Sequence, residues 1–200
     1  MKRTVFLVQL SLFTAIELIF CFTPLGSIPI SPGIVATLAH IPALIAALSL
    51  GVYAAGFMGL VMGISSFIVW TFMPPVPPAA FAFTPFAPYG NIFSLIICIL
   101  PRTVFPIITA LIHRRLKNSI RLPVSAGVSA AVGTFMHSFL VLSGIYLAFY
   151  SNPMVGGDYI NFLVAWGGVN ALMEILLGAV ISSAVIVPLN RFATSLERRN

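Results

Sequence analysis

Long apolar runs, separated by proline, glycine or clusters of charge, dominate this sequence. Six runs occur, near residues 4–24, 36–50, 53–73, 91–112, 124–150 and 162–189. A helix needs about 20 apolar residues to cross a bilayer, so most runs are long enough for one crossing. Because 60% of the residues are apolar and only 7% are charged, a water-soluble fold would lack polar side chains to cover its surface. The sequence predicts an all-α membrane protein of six transmembrane helices, with residues 1–200 in one transmembrane domain.

The second run is short for a full crossing. Pro42 lies in its first turns, where a helix tolerates proline best. A tilted or partly re-entrant segment is therefore an alternative to a complete span.

The basic residues predict the orientation of the chain. The segments 25–35, 74–90 and 151–161 contain no Lys or Arg, whereas nine of the ten basic residues lie near the termini or between residues 114 and 121. Cytoplasmic connections of membrane proteins are enriched in Lys and Arg. We expect a multi-pass cell-membrane protein with both termini in the cytoplasm. On this view the net charge of +6 reflects topology and not a nucleic-acid partner.

Two of the predicted outer segments have unusual compositions. Residues 25–35 are rich in proline and glycine, and residues 74–90 are rich in proline and phenylalanine. Proline stiffens the backbone and aromatic side chains supply apolar area, so such segments can pack onto the bundle. We expect them to cover a ligand pocket that faces outward, with a loop resting on the outer leaflet as the alternative.

A few ionisable and polar side chains lie inside the predicted spans. Arg102 is near the middle of the fourth run, where insertion of a charge costs about 2.5–3.5 kcal/mol, and His137 and Glu174 lie at similar depth on the next two runs. Asn170 precedes Glu174 by four residues and shares its helix face. Arg102 is either neutralised by Glu174 or Glu17, or binds a ligand carboxylate through two parallel hydrogen bonds. Both interpretations can hold together.

Small residues recur at four-residue spacing on two runs, which lets another helix approach closely. They are Ser11 and Ala15 on the first run, and Ala55, Gly59 and Gly63 on the third. We interpret both stripes as candidate docking surfaces for a larger partner. For the third run, packing inside the bundle is the alternative.

The sequence contains none of the common hydrolase, P-loop or metal-binding motifs. Hydrolysis would need a serine and a histidine that the fold brings together, and nothing local marks a nucleophile. We therefore expect no catalytic residue, metal or cofactor in this chain. A self-contained secondary transporter or channel stays open as a class, although no clear repeat relates the two halves.

The second and third runs carry a recognisable pattern. The segment LAHIPALI at 38–45, followed by Gly51, Gly56, Gly59 and Gly63, resembles the substrate-binding S components of energy-coupling factor (ECF) transporters. The sequence LPR at 100–102, the stretch 133–146, and Asn170 with Glu174 are most similar to the pantothenate-specific members.

The resemblance implies a six-helix subunit that captures a vitamin from outside. Pantothenate is the expected ligand, and hydroxymethylpyrimidine or another vitamin is the alternative. The expected partners are a transmembrane coupling subunit (EcfT) and two cytoplasmic ATPases (EcfA and EcfA'), which would hydrolyse ATP for the transporter. Ser11 and Ala15 match the positions of the docking motif on the first helix of the family.

The resemblance also suggests roles in pantothenate binding. Arg102 is expected to bind the carboxylate, shared with Glu174 when the site is empty. Polar contacts to the amide and hydroxyl groups are expected from Asn170, His137 and Tyr89. The site is expected to be closed from above by Phe83, Phe86 and His40.

Overall fold

The computed structural model describes residues 3–31 and 34–198, with the side chains of these residues except 27–36 and 193–198. Its helices are α1 (Arg3–Phe22), α2 (Ile41–Leu50), α3 (Val52–Phe72), α4 (Ile92–Leu116), α5 (Leu122–Phe149), α6 (Tyr159–Leu163) and α7 (Val169–Arg198). Between α1 and α2, the strands β1 (Ser27–Ser31) and β2 (Ile34–Thr37) form an antiparallel hairpin.

Within the described residues, five helices are long and apolar enough to cross a membrane. They are α1, α3, α4, α5 and the continuous helix Tyr159–Phe192. That last helix consists of α6, a π-helical segment at Val164–Gly168 and α7. Together with the shorter α2, these helices confirm the predicted all-α membrane fold.

Helix α2 is shorter than the predicted run 36–50. Its ten residues, Ile41–Leu50, extend about 15 Å, which is half of the hydrocarbon core of a bilayer. The helix starts late because residues 36 and 37 belong to β2, where Thr37 pairs with Ser27. Pro42 lies at the start of the helix, where its missing N–H leaves no hydrogen bond unmade. Helix α2 is therefore a short buried helix and does not cross the bilayer by itself.

The spanning helices extend beyond some of the predicted limits. Helix α4 continues to Leu116 instead of 112, and the last helix runs from Tyr159 to Arg198 instead of 162–189. Hydropathy marks only the apolar part of a helix, whereas the helix itself continues among polar residues at the membrane boundary. At its start, α4 is capped by Asn91, whose side chain accepts a hydrogen bond from the Phe93 N–H at 2.8 Å.

Helices α3 and α4 pack closely at glycines of α3. A Cβ atom on Gly59 would clash with the main-chain oxygen of Arg102, and one on Gly63 would lie 3.1 Å from Cα of Ile99. Ala55, which belongs to the same stripe, is also buried. The predicted docking stripe on the third run is thus covered by α4. These residues therefore pack within the bundle, which was the alternative interpretation of the sequence.

Helix α1 lies at the periphery of the bundle. Among its described side chains, Glu17 alone is buried. Ser11 and Ala15 are both exposed. The first small-residue stripe therefore faces away from the bundle, in contrast to the stripe on α3.

The two predicted covers lie at the same end of the bundle. The loop between α3 and α4 contains a 3₁₀ turn, Pro77–Ala82, and its residues 80–84 are buried. The loop is fastened to both neighbouring helices: the hydroxyls of Thr71 and Thr84 are 2.9 Å apart, and Ser94 Oγ donates to the Phe81 carbonyl at 2.6 Å. The other cover, residues 25–35, forms most of the β hairpin, but residues 32 and 33 and the side chains of 27–36 lie outside the described residues.

Candidate functional site

A cavity of about 850 Å³ lies inside the bundle. Its walls come from α1, α3, α4, α5 and the last helix, and β2 and loop residues between 75 and 83 border it. This volume is in the range of cavities that hold small organic ligands. Most of the wall is apolar, and the polar side chains that reach it are Thr37, Ser66, Arg102, His137, Ser138, Asn170 and Glu174.

Arg102 supplies the positive charge of the cavity. Its side chain is 7% exposed, and Nη1 donates to the main-chain carbonyls of Cys98 at 2.8 Å and Ile97 at 3.5 Å. Within the part of the chain that the structure describes, its buried Nε has no hydrogen-bond partner. A guanidinium has five N–H donors in one plane. Arg102 is therefore held by its own helix and retains donor capacity for another group.

Phe83 covers Arg102 from the loop side. Its ring centroid lies 5.0 Å from Cζ of Arg102, a cation–π distance, and 4.5 Å from the ring of Trp70. Since Phe83 belongs to the fastened loop between α3 and α4, that loop forms the roof directly over the guanidinium. Of the aromatic residues predicted to cover the site, Phe83 thus lines the cavity.

Glu174 supplies a carboxylate to the same cavity. Its Oε2 accepts a hydrogen bond from Ser138 Oγ at 3.5 Å, and the Thr37 side chain also bonds to it. Arg102 is near enough to interact with Glu174 electrostatically. Two hydroxyl groups thus orient an acid that faces the same space as the guanidinium.

Two further predicted residues line the cavity. The ring of His137 packs against Phe105 with centroids 5.0 Å apart, and its buried Nε2 is unpartnered within the described residues. Asn170 lies one turn before Glu174 on the last helix. Together with Arg102 and Glu174, they line the same cavity.

Three other predicted residues are not in the cavity wall. Phe86 and Tyr89 are each 76% exposed, because the loop turns outward again after Thr84. His40 is buried where α2 begins, and a Cβ on Gly178 of α7 would lie 3.4 Å from its Nε2. His40 therefore packs between α2 and α7 instead of closing the cavity.

Sequence reasoning missed several wall residues, of which Trp70 and Trp166 are the largest. Trp166 lies in the π-helical segment and contacts Phe81 and Phe162. The chain contains only two tryptophans, and both line the cavity. Their rarity was a usable signal, but nothing in a uniformly apolar run shows which side of the helix faces inward.

Glu17 does not take part in the cavity. Its carboxylate is fully buried and contacts the thiol of Cys21 at 3.5 Å and the main chain at Ala43. These contacts therefore do not support neutralisation of Arg102 by Glu17. Glu17 instead accepts a hydrogen bond from the main chain at the start of α2.

The fold and the cavity agree with the similarity of this chain to known proteins. Residues 5–189 match the family described as "ECF transporter, substrate-specific component". The chain belongs to this family. It is therefore a multi-pass membrane subunit that binds the substrate of a transporter, and it is not an enzyme.

The chain is also similar to a named transporter and to a solved structure. The chain is 30% identical to the pantothenic acid transporter PanT of Lactococcus lactis subsp. cremoris over 168 residues, which are 82% of this chain and 80% of that protein. The structure of ThiT from Listeria monocytogenes matches with a TM-score of 0.58 at 18% identity, over 93% of this chain and 95% of that one. Because the two sequences are only 18% identical, the likeness to ThiT concerns the fold alone.

Proposed function

We propose that this S component binds pantothenate at the outer side of the cell membrane and presents it to an ATP-driven importer. The observation that carries the proposal is Arg102, a buried guanidinium with an unpartnered Nε in a cavity of about 850 Å³. The relative that is 30% identical bears the name of a pantothenic acid transporter, which supports the same ligand.

The polar groups of the cavity suit the chemistry of pantothenate. The ligand has one carboxylate, which a guanidinium binds through parallel hydrogen bonds. Its amide and hydroxyl groups need several donors and acceptors, for which Asn170, His137 and Glu174 are placed along the wall. Phe83 closes the site over Arg102. His40, Phe86 and Tyr89 are left out of the proposed contacts because they do not line the cavity.

The orientation and the partners form part of the proposal. Both termini and the basic loop after α4 lie in the cytoplasm, by the distribution of Lys and Arg. The roof of the cavity then faces outward, where substrate is captured. The chain associates with a coupling subunit (EcfT) and two ATPases (EcfA and EcfA') that hydrolyse ATP, and it needs no cofactor itself. The exposed Ser11 and Ala15 of α1 form the docking surface for the coupling subunit.

Hydroxymethylpyrimidine is the second candidate ligand. Trp70, Phe83 and Trp166 give the cavity aromatic walls, and a flat heterocycle stacks on such rings. A neutral pyrimidine would have no need of Arg102. The dependence of binding on this residue therefore separates the two ligands.

The test is a binding measurement with the purified protein in detergent. We expect pantothenate to bind the wild type and Arg102→Ala to bind it at least ~30-fold more weakly, since loss of one partner of a buried charge pair costs about 2–5 kcal/mol. Arg102→Lys should recover only part of the affinity, because an ammonium group cannot make the bidentate contact. Arg114→Ala, which removes an exposed arginine of the same helix, should bind like the wild type.

Thermal unfolding of the ligand-free variants checks that each one is folded. Full pantothenate affinity in a folded Arg102→Ala protein would overturn the carboxylate role. Binding of hydroxymethylpyrimidine that is unaffected by Arg102→Ala would favour the second candidate.

A further inference from the structure

The fixed charges of the cavity are few and balanced. Among the described residues that line it, Arg102 is the one Arg or Lys and Glu174 is the one Asp or Glu. The segment 27–36, whose side chains are not described, contains no ionisable residue in its sequence. The cavity therefore offers one positive charge and one negative charge to whatever enters.

The surroundings of Glu174 favour hydrogen-bond donors over further acceptors. The carboxylate already accepts from Ser138 and Thr37, and an ionised carboxylate has only acceptor atoms. A ligand hydroxyl can donate to it, whereas a ligand anion would face a like charge. Glu174 also lies inside a continuous helix, so the main-chain N–H groups beside it are used within that helix.

Phosphate sites in proteins are built differently. They use several Arg or Lys side chains, or the free N–H groups at a helix N-terminus. The single guanidinium of this cavity is the proposed partner of the ligand carboxylate. A second, doubly charged group on the same ligand would be left without compensation inside the membrane, where unpaired charge is most costly.

We infer that Glu174 is a specificity-determining residue that takes the hydroxyl end of the ligand and excludes a ligand carrying a phosphate monoester there. The inference rests on the proposed function, because it assigns the carboxylate end of the same ligand to Arg102. It predicts that the subunit imports the free vitamin and rejects its phosphorylated form.

The test compares pantothenate with the phosphate monoester of its terminal hydroxyl on the detergent-solubilised protein. We expect the wild type to bind the phosphate ester at least ~100-fold more weakly, because like charges brought together in a buried site cost several kcal/mol. In Glu174→Gln, which keeps the size and one side-chain oxygen as an acceptor but removes the charge, the ratio of the two affinities should fall at least tenfold. Ser138→Ala removes a hydrogen bond to Glu174 but keeps the charge, so it should leave this ratio close to the wild-type value.

The outcomes separate this inference from the proposed function. Equal binding of both compounds by the wild type would overturn the inference and leave pantothenate binding in place. An unchanged affinity ratio in Glu174→Gln would also overturn it, since the exclusion would then come from size alone. Failure of the wild type to bind pantothenate at all would contradict the proposed function and the inference together.

Discussion

Glu17 is an acid in the middle of an otherwise apolar helix, and its contacts explain why the position is tolerated. Its carboxylate meets the main chain at Ala43, in the first turn of α2. The first N–H groups of a helix have no partners inside the helix, so a side-chain oxygen placed there can accept a hydrogen bond from one of them. His40, at the N-cap of α2, makes no side-chain capping bond. Glu17 of α1 therefore supplies the cap that α2 lacks.

We predict that Glu17→Leu lowers the stability of the ligand-free protein by about 1–3 kcal/mol relative to Glu17→Gln. Leucine leaves a buried N–H of α2 without an acceptor, whereas glutamine keeps an oxygen of similar reach. The measurement is thermal unfolding in one detergent, in the absence of ligand.

Gln9 provides a matched control on the same helix. Its Oε1 is buried and has no hydrogen-bond partner among the described residues. Gln9→Leu should therefore leave the melting temperature unchanged or raise it. If Glu17→Leu were as stable as Glu17→Gln, the capping role would be refuted.

Arg102 and Glu17 differ in how far the sequence alone could assign them. The depth of Arg102 in its run placed it in a polar layer with His137 and Glu174, and all three line the cavity. Glu17 is also an isolated charge, but its partner is a main-chain group of α2. Such a partner carries no side-chain signature in the sequence.

At the level of elements, the contact between α3 and α4 determines where Arg102 sits. Gly59 lies against the main-chain oxygen of Arg102 and Cα of Thr103. The absence of a side chain at Gly59 lets the two backbones approach. This contact links the packing of two helices to the position of the proposed ligand-binding side chain.

We predict that Gly59→Ala destabilises the protein by about 1–3 kcal/mol and also weakens pantothenate binding. The added Cβ would clash with the main-chain oxygen of Arg102, so α4 must shift, and overpacking of this kind costs stability. The shift would move Arg102 as well. Thermal unfolding and ligand titration measure the two effects separately.

Gly56→Ala is the control within the same helix. Its Cβ would meet only the Ile107 side chain, at 3.5 Å, which is an ordinary contact. Alanine is the better helix former by roughly 0.5–1 kcal/mol, so this variant should be at least as stable as the wild type. Equal behaviour of the two variants would contradict the proposed link between the α3–α4 contact and the site.

The conformations of the loops and short elements were harder to predict from the sequence than the long helices. The composition of residues 74–90 indicated a cover, but which aromatic residues turn inward depends on the 3₁₀ turn Pro77–Ala82 and on the anchor from Ser94. Phe83 therefore lies over Arg102, whereas Phe86 and Tyr89 face outward. The β hairpin before α2 was not expected, because its residues read as a loop followed by the start of a helix.

At the scale of the whole molecule, α1 presents a face that the bundle does not use. Ser11 and Ala15 are exposed on it, together with large apolar side chains such as Leu7 and Leu12. Small residues on such a face allow a partner helix to approach closely. This surface is the one that we assign to the coupling subunit.

We predict that Ser11→Trp or Ala15→Trp abolishes co-purification with the coupling subunit and retains pantothenate affinity. The indole group blocks close approach of a partner helix and does not reach the cavity. Val180→Trp, on an exposed position of α7, controls for a large side chain on the lipid-facing surface and should co-purify normally. Wild-type assembly of both α1 variants would exclude this docking surface.

The sequence predicted the membrane class and the long helices well, because about 20 apolar residues per span is a strong requirement. It predicted the orientation of helix faces less well. In lipid, the outer side of a helix is as apolar as the inner side, so hydropathy alone does not distinguish the side that faces the cavity. The stripe at Gly59 and Gly63, where partner docking and internal packing looked alike, shows this ambiguity.

The π-helical segment at Val164–Gly168 changes the direction in which the later side chains of the last helix point. Each residue of an α-helix advances the chain by about 100° around the axis, and a π turn absorbs one additional residue. Asn170 and Glu174 lie beyond this turn and line the cavity. With an uninterrupted helix from Phe162 onward, the same two side chains would be rotated by roughly a quarter turn, away from Arg102 and toward the neighbouring lipid. The direction in which the second half of this helix points its side chains, including the Glu174 carboxyl group that lines the cavity, is thus set by a single surplus residue.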